Sequence, residues 1–177
     1  FSLEPDHAFY IPCAHDYPEA PKQLELWSVL KSLKPVLENK NIKTIGQNIK
    51  YDWLVLSRHG IDLKGVWFDT MIASYLINPT KRAHNLDQIA LDFIDHKTIS
   101  YNEVTEKKNI CFSQVNLEKA VPYACEDADI TFIVHNILKD KLKETDLFEL
   151  FEKIEMPLVH VLMKMELKGI SVDKKKL

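Results

Sequence analysis

The stretch Val121 to Ile130, V-P-Y-A-C-E-D-A-D-I, carries the carboxylates Glu126, Asp127 and Asp129 with a tyrosine just ahead of them. On a helix, Tyr123 and Asp127 lie one above the other on the same face, so a phenol and a carboxylate share one small volume. Metal-assisted attack on a phosphate needs such a pair: a hard anionic oxygen for a divalent cation and a hydroxyl to orient the attacking water. The same cluster also fits a solvated helix face, the commoner use of such acids. A further carboxylate, Asp52, stands near the start of an earlier helical stretch. There it is either a surface acid favoured by the helix dipole or an inward metal ligand.

These side chains need a scaffold, and the chain supplies one. Its 177 residues suit one domain of ordinary size, with part of a second element at one end. Apolar content of 46% and charged content of 28% are those of a globular protein. No run reaches the length of a membrane span, and the opening residues lack the basic start and apolar core of a signal peptide. Cys13, Cys111 and Cys125 are odd in number and widely spaced, which points away from a disulfide framework or a zinc site and toward a reducing cytoplasm. A net charge of −3 gives no global basic field for nucleic acid, although a protein that grips its substrate through metal ions can keep an acidic centre.

In chain order, Ala8 to Ile11 reads as a strand, and the proline-rich His15 to Lys22 as a loop in which His15 is a packing residue. Gln23 to Glu38 has helical spacing, with Pro35 bending its last turn. A brief strand at Lys43 to Ile45 leads to a helix from about Ile49 to His59, with Asn48 as N-cap and Gly60 as stop. Ile61 to Phe68 is read as strand, and Asp69 as the N-cap of a helix ending before Pro79. A helix spans Asn85 to Asp92, and Ser100 with Glu103 forms a capping box that starts another at Tyr101. Lys107 to Cys111 is a polar loop. Asn116 opens the long helix that bears Tyr123 and Asp127. Pro122 either bends that helix or marks where it truly begins. The amphipathic run from Leu147 to Gly169 has an apolar face with no domain of its own to cover.

Two ordered motifs, Asn48-x-x-Tyr51-Asp52 and Tyr123-x-x-x-Asp127, resemble the second and third exonuclease motifs in the proofreading domain of family A bacterial DNA polymerases. Further matches support this: Y-I-P-x-A-H-D-Y around Tyr10, G-Q-N-I-K-Y-D, F-D-T-M-I-A-S-Y, H-K-T-I-S-Y, and I-E-M-P-L-V from Ile154. The resemblance spans essentially the whole chain. It implies an α/β fold of ribonuclease H-like type, a mixed sheet flanked by helices, and a two-metal 3′-5′ exonuclease using Mg²⁺ or Mn²⁺. By carry-over, Asp127 holds the tighter ion, Asp52 helps hold the second, and Tyr123 orients the attacking water. The ions, roughly 4 Å apart, stabilise the incoming hydroxide and the leaving 3′ oxygen. Gln47, Asn48 and Tyr51 match positions near the bound strand, and Tyr101 matches an aromatic position against the terminal nucleotide. Glu126 and Asp129 are expected to be structural or solvated.

The sequence departs from that pattern in one respect. The D-x-E motif on the family's first strand has no counterpart here, since Leu3-Glu4-Pro5-Asp6 reads as a turn. The expectation is therefore a piece of a longer polymerase, with residues 1–150 the exonuclease domain lacking its first strand and 151–177 the start of the polymerase domain. Its expected partners are the 3′ end of single-stranded DNA, the remainder of the polymerase, and an oligomer mate that fills the missing strand's place. The isolated piece is expected to be inactive, whereas the whole protein proofreads during replication and repair. Two rival readings stand beside this one: a non-catalytic domain that binds single-stranded DNA or braces the polymerase, and a free-standing ribonuclease of the same superfamily.

Overall fold

The computed structural model describes residues 1–106, 110–173 and 176, so most of the expected loop at 107–111 lies outside the described residues. Chain order gives a hairpin of β1 (Ser2–Glu4) and β2 (His7–Ala8), then helix α1 (Leu26–Leu37), strand β3 (Thr44–Gly46), helix α2 (Ile49–Arg58) and strand β4 (Val66–Asp69). Helices α3 (Thr70–Ile77), α4 (Leu86–Ile94), α5 (Tyr101–Val104), α6 (Leu117–Glu144), α7 (Phe148–Leu150) and α8 (Met156–Lys168) follow.

Strands run in both orientations, as a mixed α/β fold requires, but in two separate ladders: β1 antiparallel to β2, and β3 parallel to β4. The first ladder moves the expected strand at Ala8 to Ile11 forward to His7–Ala8 and narrows the expected turn at Leu3 to Asp6 to Pro5 and Asp6. Strand pairing begins at Ser2 and reverses at Asp6, which takes a left-handed φ of 62°. The expected strand from Ile61 to Phe68 also shortens to its last residues. Ile61 and Leu63 are buried, yet they approach the core as irregular chain up to Gly65, whose φ is +65°. A Cβ at Gly65 would lie 2.0 Å from the carbonyl oxygen of Ile42, so only glycine lets the chain enter β4 there.

Parallel strands need a long crossover, and α2 supplies it between β3 and β4. Their register pairs Gly46 with Asp69, which delivers the Asp69 carboxylate to the N-terminus of α2. Gly60 stops α2 as expected, with φ +76°. On the other side, α6 packs across α3, α4 and β3. Phe68, Ala73, Ile89, Val134 and Leu138 are completely buried between these elements. Helix α6 starts at Leu117, with the Asn116 side chain accepting the Glu118 N–H, and Pro122 sits inside it. That settles the two readings of Pro122 in favour of an interior proline.

The run after Leu147 differs from the sequence expectation in what it covers. Phe151, Met156, Val159 and Met163 are buried in the same core as Phe68 and Val134. A π-helical turn at Phe151–Glu155 joins α7 to α8 and keeps the buried side chains in phase. Lys50 of α2 pairs with Glu166 of α8 across this contact.

One buried group gives the fold a measurable pH response. His135 on α6 is 4% exposed, with its ring edge-on to Trp67 and Phe68 at centroid distances of 5.2 and 4.8 Å. Burial, reinforced by the Lys139 charge, lowers its pKa to about 4. In the unfolded chain it takes up a proton near 6.5. Between those values the unfolded state holds more protons, so stability falls as pH drops from about 6.5 to 4, by up to about 3 kcal/mol. Asp52 and Asp127, both raised to about 6, act in the opposite sense over part of that range. The test is therefore a difference: wild type minus His135→Leu, by urea unfolding at pH 7 and pH 4.5. Equal pH slopes in the two proteins would refute the assignment.

Candidate active site

Tyr123 and Asp127 share a face of α6, and the structure couples them. The Asp127 charge and its hydrogen bonding with the Tyr123 hydroxyl add to burial in holding the phenol protonated well above its ordinary range. Asp127 itself is pushed up to about 6, first by burial and then by the charges of Asp87 and Glu126, against the opposing pull of Tyr123. Among the described residues no lysine, arginine or histidine pairs with it.

The two neighbouring acids are engaged elsewhere. Glu126 accepts the Ile99 N–H at 2.6 Å and faces Nε2 of His96 at 2.9 Å. Asp129 accepts the Asp6 N–H at 2.9 Å, which pins the hairpin turn to α6. Both therefore have structural roles, whereas Asp127 engages the Tyr123 hydroxyl.

An aromatic wall stands beside this pair. The Tyr101 ring lies 6.3 Å from that of Tyr123 at 66°, and Phe112 lies 5.8 Å from Tyr123. Tyr101 is 47% exposed, so one ring face is open to a ligand. Its placement comes from α5, which begins with the expected capping box of Ser100 and Glu103.

Asp52 belongs to a different environment. It lies in the first turn of α2, solvent-accessible on one side yet crowded by protein on the other. That crowding, followed by the charge of Asp69, raises its carboxyl to about 6. Asp69 is thus the charged neighbour of Asp52, whereas Tyr123, Asp87 and Glu126 surround Asp127. Tyr51, 66% exposed, sits beside Asp52 on α2.

Asn48 differs from its expected role. It occupies the capping position of α2, but with left-handed φ 54° and ψ 47° and no side-chain capping bond. The cap comes from Asp69, whose Oδ1 accepts the Asn48 N–H at 3.2 Å and whose Oδ2 accepts the Ile49 N–H at 2.9 Å. Asp69 also caps its own helix, accepting the Met71 and Ile72 N–H groups at 2.9 and 3.4 Å. One carboxylate thus starts two helices and frees the Asn48 amide.

Asn48 and Gln47 line a cavity of about 650 Å³ with Tyr75, His84 and Asn85. Gln47 is fixed within it, donating to the His84 carbonyl at 2.8 Å and accepting from the buried Thr70 hydroxyl at 2.5 Å. Sequence reasoning missed Asp87 and Phe112. Asp87 looks like an ordinary first-turn acid of α4, and only the fold brings it to Tyr123 and Asp127.

Among the described residues no three histidine, cysteine or acidic side chains close a metal cage. Asp52 and Asp127 offer open positions instead.

A family model described as 3′-5′ exonuclease, of the A-type DNA polymerases, matches residues 1–143. DNA polymerase I of Pseudomonas aeruginosa is 40% identical over 178 aligned residues, covering 98% of this chain and 20% of the relative. DNA polymerase I of Borreliella burgdorferi is 44% identical over 138 residues, covering 78% of this chain and 15% of the relative. Among solved structures, the polymerase domain from M. smegmatis in complex with DNA primer-template and dNTP superposes with a TM-score of 0.64 at 23% identity. It covers 81% of this chain and 22% of that one, and at this identity the match bears on the fold alone. The chain therefore spans about a fifth or less of the length of these relatives. With a matched family model over most of its length and polymerase relatives at this level of identity, the chain belongs to the 3′-5′ exonuclease family of A-type DNA polymerases.

Proposed function

We propose that this chain is the proofreading part of a longer DNA polymerase and that it removes nucleotides from the 3′ end of single-stranded DNA. The observation that carries the reading is the pairing of a protonated phenol, Tyr123, with an acid, Asp127, that has no basic partner among the described residues. Two Mg²⁺ or Mn²⁺ ions, held through Asp127 and Asp52, would polarise the scissile phosphate and lower the pKa of the attacking water.

The chain's own side chains do the rest. The Tyr123 hydroxyl, kept protonated, donates to or accepts from the attacking water and fixes its line of approach. Tyr101 and Tyr51, both exposed, offer ring faces to unstacked bases, and sequence-tolerant stacking of that kind suits a single strand. Asn48, relieved of capping, can present its amide to the strand backbone. This also explains how a protein of net charge −3 engages DNA: contacts are local rather than set by a global field.

Residues 1–150 would be the exonuclease unit and 151–177 the start of the polymerase domain, a division supported by a family match that ends at residue 143. The partners are the 3′ end of DNA and the rest of the polymerase. No helix among the described residues is long and apolar enough to cross a membrane. The free thiols Cys13, Cys111 and Cys125 fit a cytoplasmic setting.

The test uses the whole protein and a 5′-labelled single strand. Cation-dependent shortening from the 3′ end is expected, slowed about a hundredfold by Tyr123→Phe. Calorimetric Mn²⁺ binding should be unchanged in that variant, because only the water-orienting hydroxyl is lost. Weakened Mn²⁺ affinity would reassign Tyr123, and no shortening by the wild type would end the exonuclease reading.

A further inference from the structure

The segment between α4 and α5 is held at three points within four residues. His96 meets Glu126 at 2.9 Å, Thr98 donates to Asp87 at 2.7 Å, and the Ile99 N–H donates to Glu126 at 2.6 Å. Thr98 is 6% exposed, so its bond to Asp87 is shielded from water. Immediately after this anchored segment come Ser100 and Tyr101. Helix α5 is only four residues long and cannot orient itself, because so short a helix does not hold its shape unaided. The Tyr101 ring therefore takes its direction from two anchors: Val104 at the far end of α5, buried with Val115 and Ala120, and the 96–99 segment that leads into the helix.

From this arrangement we infer that Glu126 is a positioning residue: by clamping His96 and Ile99 to α6 it fixes the Tyr101 ring beside Tyr123, where the terminal base of single-stranded DNA stacks. The inference rests on the exonuclease reading above and adds a role for an acid that touches neither DNA nor ion. Asp127 is carried by the same helix, so the clamp sets the spacing between the stacking ring and the reacting end.

What the clamp needs is geometry rather than charge. Both Glu126 oxygens act as acceptors when His96 carries its proton on Nε2. A glutamine can keep both contacts: its carbonyl accepts the Ile99 N–H, and its amide donates to His96 Nε2 when the ring proton sits on Nδ1. Glu126→Gln therefore separates a clamp from a metal ligand or an electrostatic partner, since either of the latter loses its function in the amide.

In the whole protein, Glu126→Ala should raise KM for single-stranded DNA about tenfold with kcat within about twofold, the loss expected for one base-stacking contact. Glu126→Gln should keep a wild-type KM, the quantity the clamp governs, although it also removes a charge beside Asp127. His96→Ala removes one contact at a partly exposed site that tolerates truncation, and should raise KM in the same direction, which covers the case of a poorly folded Glu126→Ala. Combining Glu126→Ala with Tyr101→Ala should add nothing beyond Tyr101→Ala alone.

Quenching of a 3′-terminal 2-aminopurine gives a readout that needs no cutting. Wild type and Glu126→Gln should quench, and Glu126→Ala should not. A protein that quenches in this pattern without cutting DNA would overturn the exonuclease reading and leave the clamp standing. Activity loss in Glu126→Gln as deep as in an Asp127 variant overturns the clamp, as do additive KM effects, equal quenching in wild type and Glu126→Ala, or no wild-type quenching at all.

Discussion

Asp127→Asn in the whole protein is expected to lower 3′-terminal hydrolysis of single-stranded DNA by about a thousandfold, equivalent to about 4 kcal/mol of barrier, while making the metal-free fold slightly more stable. The two effects share one cause. Asp127 is held by burial and by the charges of Asp87 and Glu126 at a carboxyl pKa of about 6. An acid whose folded pKa lies above its unfolded value near 3.9 releases its proton more readily when unfolded. It therefore costs the fold stability as pH rises through about 4 to 6, and the full cost is present at pH 7.

Two pKa units correspond to less than 3 kcal/mol, and partial solvent access cuts this to about 1 kcal/mol. The neutral amide removes that cost together with the charged oxygen that would hold a cation. The measurements are a melting curve without metal and an exonuclease assay with Mg²⁺. A variant that retains even a tenth of wild-type activity would move the primary acid elsewhere.

Asp69→Ala should produce the largest loss of stability of any single change considered. The carboxylate is 1% exposed and satisfies four backbone N–H groups, two at the start of α2 and two at the start of α3. Removing one N-cap costs about 1 kcal/mol, and each buried donor left without a partner costs about as much again. Asp69 is itself raised by burial, which offsets part of this. A net loss of about 3 kcal/mol, or a Tm drop of about 10 °C for a domain of this size, is expected. With the Asp69 charge gone, the Asp52 carboxyl should also titrate lower, visible in an NMR pH series. A Tm within 2 °C of wild type would mean that water replaces the carboxylate at both helix starts, at no greater cost than a surface cap.

What the sequence reveals follows a physical pattern. Local signals are legible: Asp69 caps α3, Ser100 and Glu103 form their box, and Gly60 ends α2 in a left-handed turn. Each depends on residues a few positions apart, so the chain states it directly. The N-cap position of Asn48 is legible in the same way, but its capping bonds are not, because they come from Asp69 on a neighbouring strand that only the β3–β4 register brings there. The apolar face after Leu147 was likewise visible, but its partner was not. Periodicity shows that Phe151, Met156 and Val159 want cover without saying that β4 and α6 provide it. At the site, the Tyr123–Asp127 pair follows from helical spacing, whereas the convergence of Asp87, Glu126 and the 96–99 segment on that pair is tertiary and left no local trace.

The left-handed backbone at Asn48 bears on how substitutions there can be interpreted. Two demands meet at that position: a φ of 54°, which glycine, asparagine and aspartate tolerate better than other residues, and, on the proposed exonuclease reading, an amide that contacts the DNA strand. An alanine there fails the first demand before it addresses the second, so its phenotype mixes backbone distortion with lost recognition. The permitted alphabet is narrow for a reason that predates any ligand. Asparagine meets the backbone demand, and its side chain is free because Asp69 supplies the cap.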